Sequence, residues 1–519
     1  MFNYQIKHEF PYAYFASDAF QHQIRAEAIK DNGNFRYEAP YISLGFEKAV
    51  GRYPPIIYHL AVIFSYSSGL EIYDSIYFIV LFFAIIGSLI MYFIIRNFNK
   101  NAAIMSLPLA ALIFSYPLSI GFTWGHWPSL LGQFFLIALA WSIMMLDLEK
   151  SYIIIAITFA SIAMAHTSEA VFGIIFLVLF FAARLASRNL RKENVKNAII
   201  ALLVAFFISS YYLVIFINSW AKAQPYSFAV EPVWQGNPGF YILDFGILLA
   251  FIGAGILFSL FKLKDMHASL VFGFAMLLGG FLNYIGFGLR SFQLRFFWPI
   301  YLAAFFGFGA YFLLKLPVKN WRMGYSAIVF AAIAVLLIIN LPGMPKFSKA
   351  ASQGVMDIYH WSALKWLSES TEPSSKIYFF YGDTYSQDAL LRNSKRLHYL
   401  VDPNDFISSI QNRRIKRDYV TELPGDGGGS IVMRASYFKF EEITKSKPEE
   451  YFFGPKDICS FNYLVFDKVS RQQVLAEYNL MIASELLKKG YISKVFDNNF
   501  VLILKNNNIG GDCIAERNF

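Results

Sequence analysis

The residues best equipped for chemistry stand near the start of the chain, in "ASDAFQHQIRAEAIKDNG" (16–33). Asp18, His22 and Arg25 recur at helical spacing, which places them on one face of a helix. A carboxylate with partial burial and neighbouring cations can be tuned to take a proton from a bound hydroxyl. The plainer reading is a solvated aspartate beside an arginine. Further ionisable groups follow in polar stretches between apolar runs. These are His126 in "TWGHWPS", His166 and Glu169 in "AHTSEA", Lys222 and Glu231 in "SWAKAQPYSFAVEPVWQGNPGFY", and Arg290 and Arg295 in "GLRSFQLRFFWP". Arg295 opens the apolar run "FFWPIYLAAFFGFGAY", where a guanidinium suits a lipid phosphate. Plain alternatives stand beside these readings. Arg290 can snorkel to an interface, His126 can sit in an aromatic belt with Trp124 and Trp127, and His166 can cap a helix end. Asp244 and Asn283 read as groups that satisfy helix packing.

The elements that must hold these groups are apolar. Hydrophobic residues make up 56% of the 519 and charged residues 16%, against about 25% charged in an average soluble domain. Runs such as Phe78–Ile95 and Ala198–Ile217 carry no charge and are long enough for a hydrocarbon core of about 30 Å. The pattern predicts spans at Ile72–Arg96, Ala103–Gly121, Trp127–Leu146, Tyr152–His166, Ala170–Ser187, Ala198–Asn218, Phe240–Leu260, Met266–Gly288, Phe296–Leu314 and Tyr325–Leu341. The connecting loops alternate in basic content. One set carries 13 Lys and Arg residues, from Arg96 to Arg322, and the other only Lys222, Arg290 and Arg295. By the positive-inside rule the first set is cytoplasmic, so the chain enters its first span and leaves its last on the outer side. The net charge of +9 is then a topology signal and not a nucleic-acid surface.

That orientation places residues 1–71 outside as well. The stretch "YPPIIYHLAVIFSYSSGL" (53–70) is apolar but short and carries two prolines and a histidine, so it reads as a helix at the outer interface. No signal peptide is visible. A span running outward should precede Asp18, and only 17 residues stand there, so the expectation is a further helix upstream of this sequence. From about Pro342 the pattern changes to α/β. "MDIYHWSALKWLSES" has helical spacing, "KIYFFYG", "RLHYLV" and "NYLVFD" read as strands, and "YISKVFDNNFVLILK" reads as a hairpin turning at Asp497-Asn498-Asn499, after a helix at Arg471–Lys489. The loop "PGDGGGS" does not join a strand to a helix, so it is no phosphate loop. Cys459 and Cys513 show no zinc-ligand spacing. They can pair in an oxidising compartment or stay as two free thiols. The expected divisions are a first outer loop (1–71), a membrane helical domain (72–341) and an extracytoplasmic α/β domain (342–519).

The order of these features resembles the GT-C superfamily of membrane glycosyltransferases, and within it relatives of the oligosaccharyltransferase catalytic subunit. Those carry an aspartate in their first outer loop in a pattern like D-P-Y-Y-H-x-R. Here "DAFQHQIR" keeps Asp18 and His22 at matching spacing, with Arg25 shifted by one. "RYPPIIYHLAVIF" (52–64) is similar to the Tyr-Pro segment that follows in the family, and Arg295 stands where the family places an arginine on the lipid-carrier phosphate. The resemblance implies a polytopic, GT-C-like, α-helical membrane protein of about 10 spans plus an interfacial helix, with a C-terminal extracytoplasmic α/β domain, in a prokaryotic cell membrane. It implies transfer of a sugar from a polyprenyl-phosphate or polyprenyl-diphosphate carrier to a glycan, lipid or protein acceptor, inverting the anomeric centre. Asp18 would act as base. Arg295, helped by Arg290 and His126, would meet the phosphate. His22 and Arg25 would support the site, and His166 and Glu169 would contact sugar hydroxyls. Two family motifs are absent. The second outer loop lacks its acidic pair, and "YFFYGD" (378–383) stands nearest to W-W-D-Y-G. No cofactor is required by the pattern; if Mg2+ or Mn2+ binds, Asp18 and His126 are the expected ligands. Two rival readings are an oligosaccharyltransferase-like enzyme acting on protein and a non-catalytic transporter or flippase. Transporters usually keep polar groups at the membrane midplane, whereas here they collect at one face.

Overall fold

The computed structural model describes residues 9–34, 38–43, 49–51, 53–217, 245–261, 267–285, 292–293, 295–315, 331, 335, 354–381, 388–400, 438–439, 461–469 and 473–510. Lys222, Glu231, Asp244, Arg290, Cys459, Cys513, the 424–430 loop and nearly all of the predicted span Tyr325–Leu341 lie outside the described residues, as does the Asn283 side chain. The chain groups into two compact units. One comprises Met1–Tyr4, Pro54–Phe64 and Ser75–Ser352; the other comprises Gln5–Tyr53, Ser65–Asp74 and Gln353–Phe519. The longer helices are α1 (Ser17–Asn32), α2 (Ile56–Ser68), α3 (Ile72–Phe98), α4 (Lys100–Ala110), α5 (Trp127–Met144), α6 (Ser151–Ala165), α7 (Thr167–Ala186), α8 (Lys192–Phe216), α9 (Leu248–Phe261), α10 (Ala268–Phe281), α11 (Ala303–Lys315), α12 (Ile358–Ser370) and α13 (Gln473–Leu487).

In the first unit, α3, α5, α7 and α8 are each long and apolar enough to cross a membrane. The expected ten spans are not confirmed. α6 and α10 have 15 and 14 residues, and at about 1.5 Å per residue they reach only ~21–23 Å of a core that is ~30 Å thick. The predicted span Ala103–Gly121 is broken. α4 passes into a 3-10 turn at Ala111–Phe114, and Ser115 is extended. Pro108 removes a helical hydrogen bond, and Pro117 disfavours helical backbone at Tyr116.

The tightest packing in this unit is made by glycines. α11 lies against both α4 and α9. A Cβ on Gly307 would fall 2.2 Å from the Ala102 carbonyl oxygen, and one on Gly309 1.8 Å from that of Phe251. Without water to squeeze out, membrane helices gain contact by bringing backbones together across small residues.

The second unit is an α/β assembly to which α1 belongs. Strands β1 (Lys376–Phe380), β2 (Leu397–Leu400), β3 (Tyr463–Asp467), β4 (Ile492–Asp497) and β5 (Val501–Asn506) form one sheet in the order β2-β1-β3-β5-β4. β2, β1 and β3 run parallel, while β5 is antiparallel to β3 and β4. β3 is buried along its whole length, as a strand covered on both faces must be. One face carries Phe380, Leu464, Phe466 and Leu504 against Ile482, Ala483 and Leu486 of α13. On the other, Tyr463 meets Trp366 of α12. The expected hairpin forms at Asn498, whose side-chain oxygen accepts from the amides of Phe500 and Val501. The chain before α1 is tied in too, since Val355 N–H donates to the Tyr14 carbonyl at 2.8 Å. At its far end α1 stops at Gly33, whose φ of 62° gives the left-handed closing residue.

Within this unit Asp357 caps α12, accepting from the amides of Tyr359 and His360 at 2.9 Å each. His360 is buried and reaches Asp357 at 2.7 Å and Asp467 at 3.2 Å. Burial would lower its pKa, but the two carboxylates outweigh that and raise it to about 9.

Two outcomes follow. Gly309→Leu drives a side chain into backbone, and its thermal midpoint in detergent should fall by the equivalent of about 3 kcal/mol or more. Gly253→Ala, inside α9 with nothing within 4 Å of its added Cβ, should leave the midpoint unchanged or raise it slightly. The second concerns pH. The unfolded histidine titrates near ~6.5, so the stabilisation is complete below that value and disappears as pH rises through about 9, a loss on the order of 3 kcal/mol. Hydrogen exchange of β3 and α12 between pH 6 and 9.5 measures it, and His360→Gln should flatten the profile.

Candidate active site

In the first unit, a side chain that organises the connecting segments is Gln133, fully buried on α5. Its Nε2 donates to the Arg295 carbonyl at 3.0 Å, and its Oε1 accepts from Phe297 N–H at 2.6 Å and Tyr301 O–H at 2.8 Å. One carboxamide thus fixes the chain from Arg295 to Tyr301. The turn before α5 closes on the same stretch. A Cβ on Gly121 would lie 3.2 Å from Arg295 Cα, and the Gly121 carbonyl accepts from His126 N–H at 3.1 Å. His126 stands at the N-cap position of α5, edge-on to Trp124. The Arg295 guanidinium lies 5.6 Å from the Phe296 ring centroid and is partly exposed.

An acidic side chain lies on the same network. Glu169, in the first turn of α7, is fully buried. It accepts from Ser129 O–H at 2.6 Å, and its other oxygen meets His166 Nδ1, which also lies 2.7 Å from Ser168 Oγ. Ser129 in turn accepts from Gln133 Nε2 at 3.3 Å. The carboxylate is in electrostatic reach of both His166 and Arg295. His166 is extended backbone between α6 and α7, so it caps the junction and also compensates a buried charge, which otherwise costs several kcal/mol.

In the second unit, Asp18 lies half-buried in the first turn of α1, where a negative charge suits the helix dipole. His22 and Arg25 are buried on the same face. His22 packs edge-on to Tyr53, and the Arg25 guanidinium sits 4.6 Å from the same ring. Arg25 Nε also donates to Glu38 at 2.8 Å. Asp18 and His126 belong to different units. Among the described residues no three His, Cys, Asp or Glu side chains gather into a set that could hold a metal ion.

No protein-family model matches the chain, and no curated protein sequence matches it. Solved structures do. The oligosaccharyltransferase AglB from Archaeoglobus fulgidus, in complex with an inhibitory peptide and a dolichol-phosphate, matches with a TM-score of 0.56 at 12% identity, over 89% of this chain and 67% of its own. ArnT from Cupriavidus metallidurans matches with a TM-score of 0.55 at 11% identity, over 95% of this chain and 94% of its own. The arabinofuranosyltransferase AftD from Mycobacteria matches with a TM-score of 0.54 at 10% identity, over 96% and 40%. The fold is that of the GT-C membrane glycosyltransferases.

On this GT-C scaffold the expected site residues fall into two sets. His166, Glu169 and the Arg295 backbone are drawn together by one hydrogen-bonded network in the helical unit, and His126 stands in the turn that closes on the same stretch. Asp18, His22 and Arg25 share a face of α1 in the other. Gln133, Ser129 and Tyr301 were not among the expected residues. A lone amide inside "WPSLLGQFFLIALAW" was the available signal, since polar groups at membrane depth are costly.

Gln133→Leu would leave an amide, a hydroxyl and a carbonyl without this partner. Its thermal midpoint in detergent should fall by the equivalent of about 3 kcal/mol or more, at ~1–3 kcal/mol per stranded buried group. Ser142→Ala on the same helix, which loses its bonds to the Leu139 carbonyl and the Thr158 hydroxyl, should cost less than that, because Thr158 keeps its own bonds to backbone carbonyls.

Proposed function

We propose that this chain is a membrane glycosyltransferase that takes a sugar from a polyprenyl-phosphate or polyprenyl-diphosphate carrier and passes it to an acceptor hydroxyl. The observation that carries the reading is the clamp of Gln133 on the Arg295 stretch, which presents a guanidinium at the start of an apolar segment. The likeness to ArnT, which has been solved with undecaprenyl phosphate bound, and to AglB, solved with a dolichol-phosphate, supports a lipid phosphate as the group that Arg295 meets. Asp18 is the base in this reading. The acceptor oxygen bonds to the anomeric carbon as the bond from that carbon to the phosphate oxygen breaks. The acceptor proton passes to Asp18, and the polyprenyl phosphate leaves with its electron pair and its new charge facing Arg295, with Arg290 as a second cation. A single displacement of this kind inverts the anomeric centre. Hydrogen-bond donors fixed before the reaction stabilise such a charge without reorganising.

His22 and Arg25 hold the face of α1 that carries Asp18, and the partly exposed His166 offers a group for sugar hydroxyls, while the fully buried Glu169, expected to do the same, stands behind it. The α/β unit is extracytoplasmic in this topology. A protein acceptor, as in oligosaccharyltransferases, is the alternative substrate class, and a glycopeptide search in the native host separates the two. Flipping of a fluorescent lipid-linked sugar without any transfer would point to a transporter instead.

The deciding assay follows radiolabelled sugar from a polyprenyl phosphate carrier in vesicles holding the full chain. Asp18→Ala should lower turnover by about 10²–10⁴-fold while leaving carrier binding in place, and Arg295→Ala should lower it by about 10²–10³-fold with weaker binding of undecaprenyl phosphate. Wild-type transfer by Asp18→Ala would sink the assignment of the base. EDTA treatment before the same assay reads whether Mg2+ or Mn2+ takes part.

A further inference from the structure

Lys395 follows the short turn Arg392–Ser394 in left-handed backbone, with φ of 51°. This region is uncommon for a residue with a side chain, and glycine enters it at least cost. The Lys395 ammonium bridges two carboxylates of α1, Asp31 at 2.5 Å and Glu27 at 3.3 Å. Burial raises the pKa of Glu27, and the Lys395 ammonium opposes that rise. Gln23, one turn earlier and fully buried, donates to Glu27. The next residue anchors the turn. Arg396 donates from Nη2 to the carbonyls of Ser368 and Thr371 at 2.8 and 2.6 Å and from Nε to Thr371 Oγ1 at 2.9 Å. These are carbonyls at the end of α12 that no helical amide reaches. Two adjacent cations thus join the end of α12 to the outer half of α1, which also packs on the short helix Asp388–Leu391.

We propose that Lys395 is a positioning residue that sets the rotation and height of α1, and through them the place of Asp18. Gln23, Glu27 and Asp31 run along one side of the helix that carries Asp18, so a cation fixed to the sheet unit holds the helix as a rigid rod. The inference rests on the reading of Asp18 as base, and the experiment separates the two.

Lys395→Met, Lys395→Gly and Lys395→Arg are compared in the full chain in vesicles. Three quantities are read: transfer from a polyprenyl phosphate carrier, binding of undecaprenyl phosphate, and amide exchange across residues 17–32. Lys395→Met and Lys395→Gly should speed exchange in α1 and lower kcat by about 10-fold or more, since a misplacement of 1 Å can cost ~10²-fold. KM for the carrier and binding of undecaprenyl phosphate should stay unchanged. Lys395→Arg should restore most of the turnover. Lys395→Gly also relieves the backbone, so a loss there reports the ammonium and not the strain. Unchanged α1 exchange in Lys395→Gly, wild-type turnover in Lys395→Met, or exchange rising equally throughout the chain would overturn the proposal. If α1 exchange rises as expected but Asp18→Ala transfers sugar at the wild-type rate, the bracing stands and the role of Asp18 fails.

Discussion

A carboxamide inside an apolar helix has nowhere to send its hydrogen bonds except to other protein groups. Gln133 is such a group, and its two ends are spent on the carbonyl of Arg295, the amide of Phe297 and the hydroxyl of Tyr301. Each of those would itself be stranded in an apolar interior, where an unmade bond costs more than a made one returns. The constraint is therefore mutual, and it locks the entry to α11 onto α5. The glycines of α11 act on the same segment from its other end, because Gly307 and Gly309 admit no lateral slack against Ala102 and Phe251. Arg295 is held at one end of a rod that is wedged along its length.

The second consequence is electrostatic. Glu169 is fully buried beside Ser129 and His166 and is in reach of Arg295. A buried carboxylate needs compensation, and the same guanidinium that compensates it is the one assigned to the carrier phosphate. An arginine already balanced by an acid holds an arriving phosphate less tightly than a bare one would. In the proposed reaction, which releases polyprenyl phosphate after every turnover, such moderation is useful. His166 meets the same carboxylate from the junction between α6 and α7.

Much of this was legible in the sequence, and the remainder has identifiable reasons for being hidden. The strands at "KIYFF" and "YLVFD" and the Asn498 hairpin follow from local pattern and turn chemistry, and they form as expected. Arg295, His166 and Glu169 could be singled out because charges next to apolar runs are expensive. The span count was not legible. Hydropathy reports that a segment is apolar, not that it is one helix, and Pro108 and Pro117 break a segment whose composition reads as continuous. Gln133 was passed over because a single amide barely alters the hydropathy of α5. Its partners lie 162 to 168 residues away, beyond the reach of any local pattern. The same holds for Lys395, whose partners on α1 lie 364 residues away in the case of Asp31.

The two candidate groups are held by different physics. The Arg295 stretch is fixed by neutral hydrogen bonds and backbone packing in an apolar interior, which salt and pH barely touch. α1 is fixed by ion pairs, and Asp31 is 46% exposed. Pairs at that exposure are screened by salt and are individually weak. They gain here by acting together, because Lys395 meets two carboxylates while Arg396 ties the same turn to the end of α12. The helix bearing Asp18 is thereby held in a definite register. In the proposed reaction a fixed cation suits the donor phosphate, and a fixed helix register suits the carboxylate that takes the acceptor's proton.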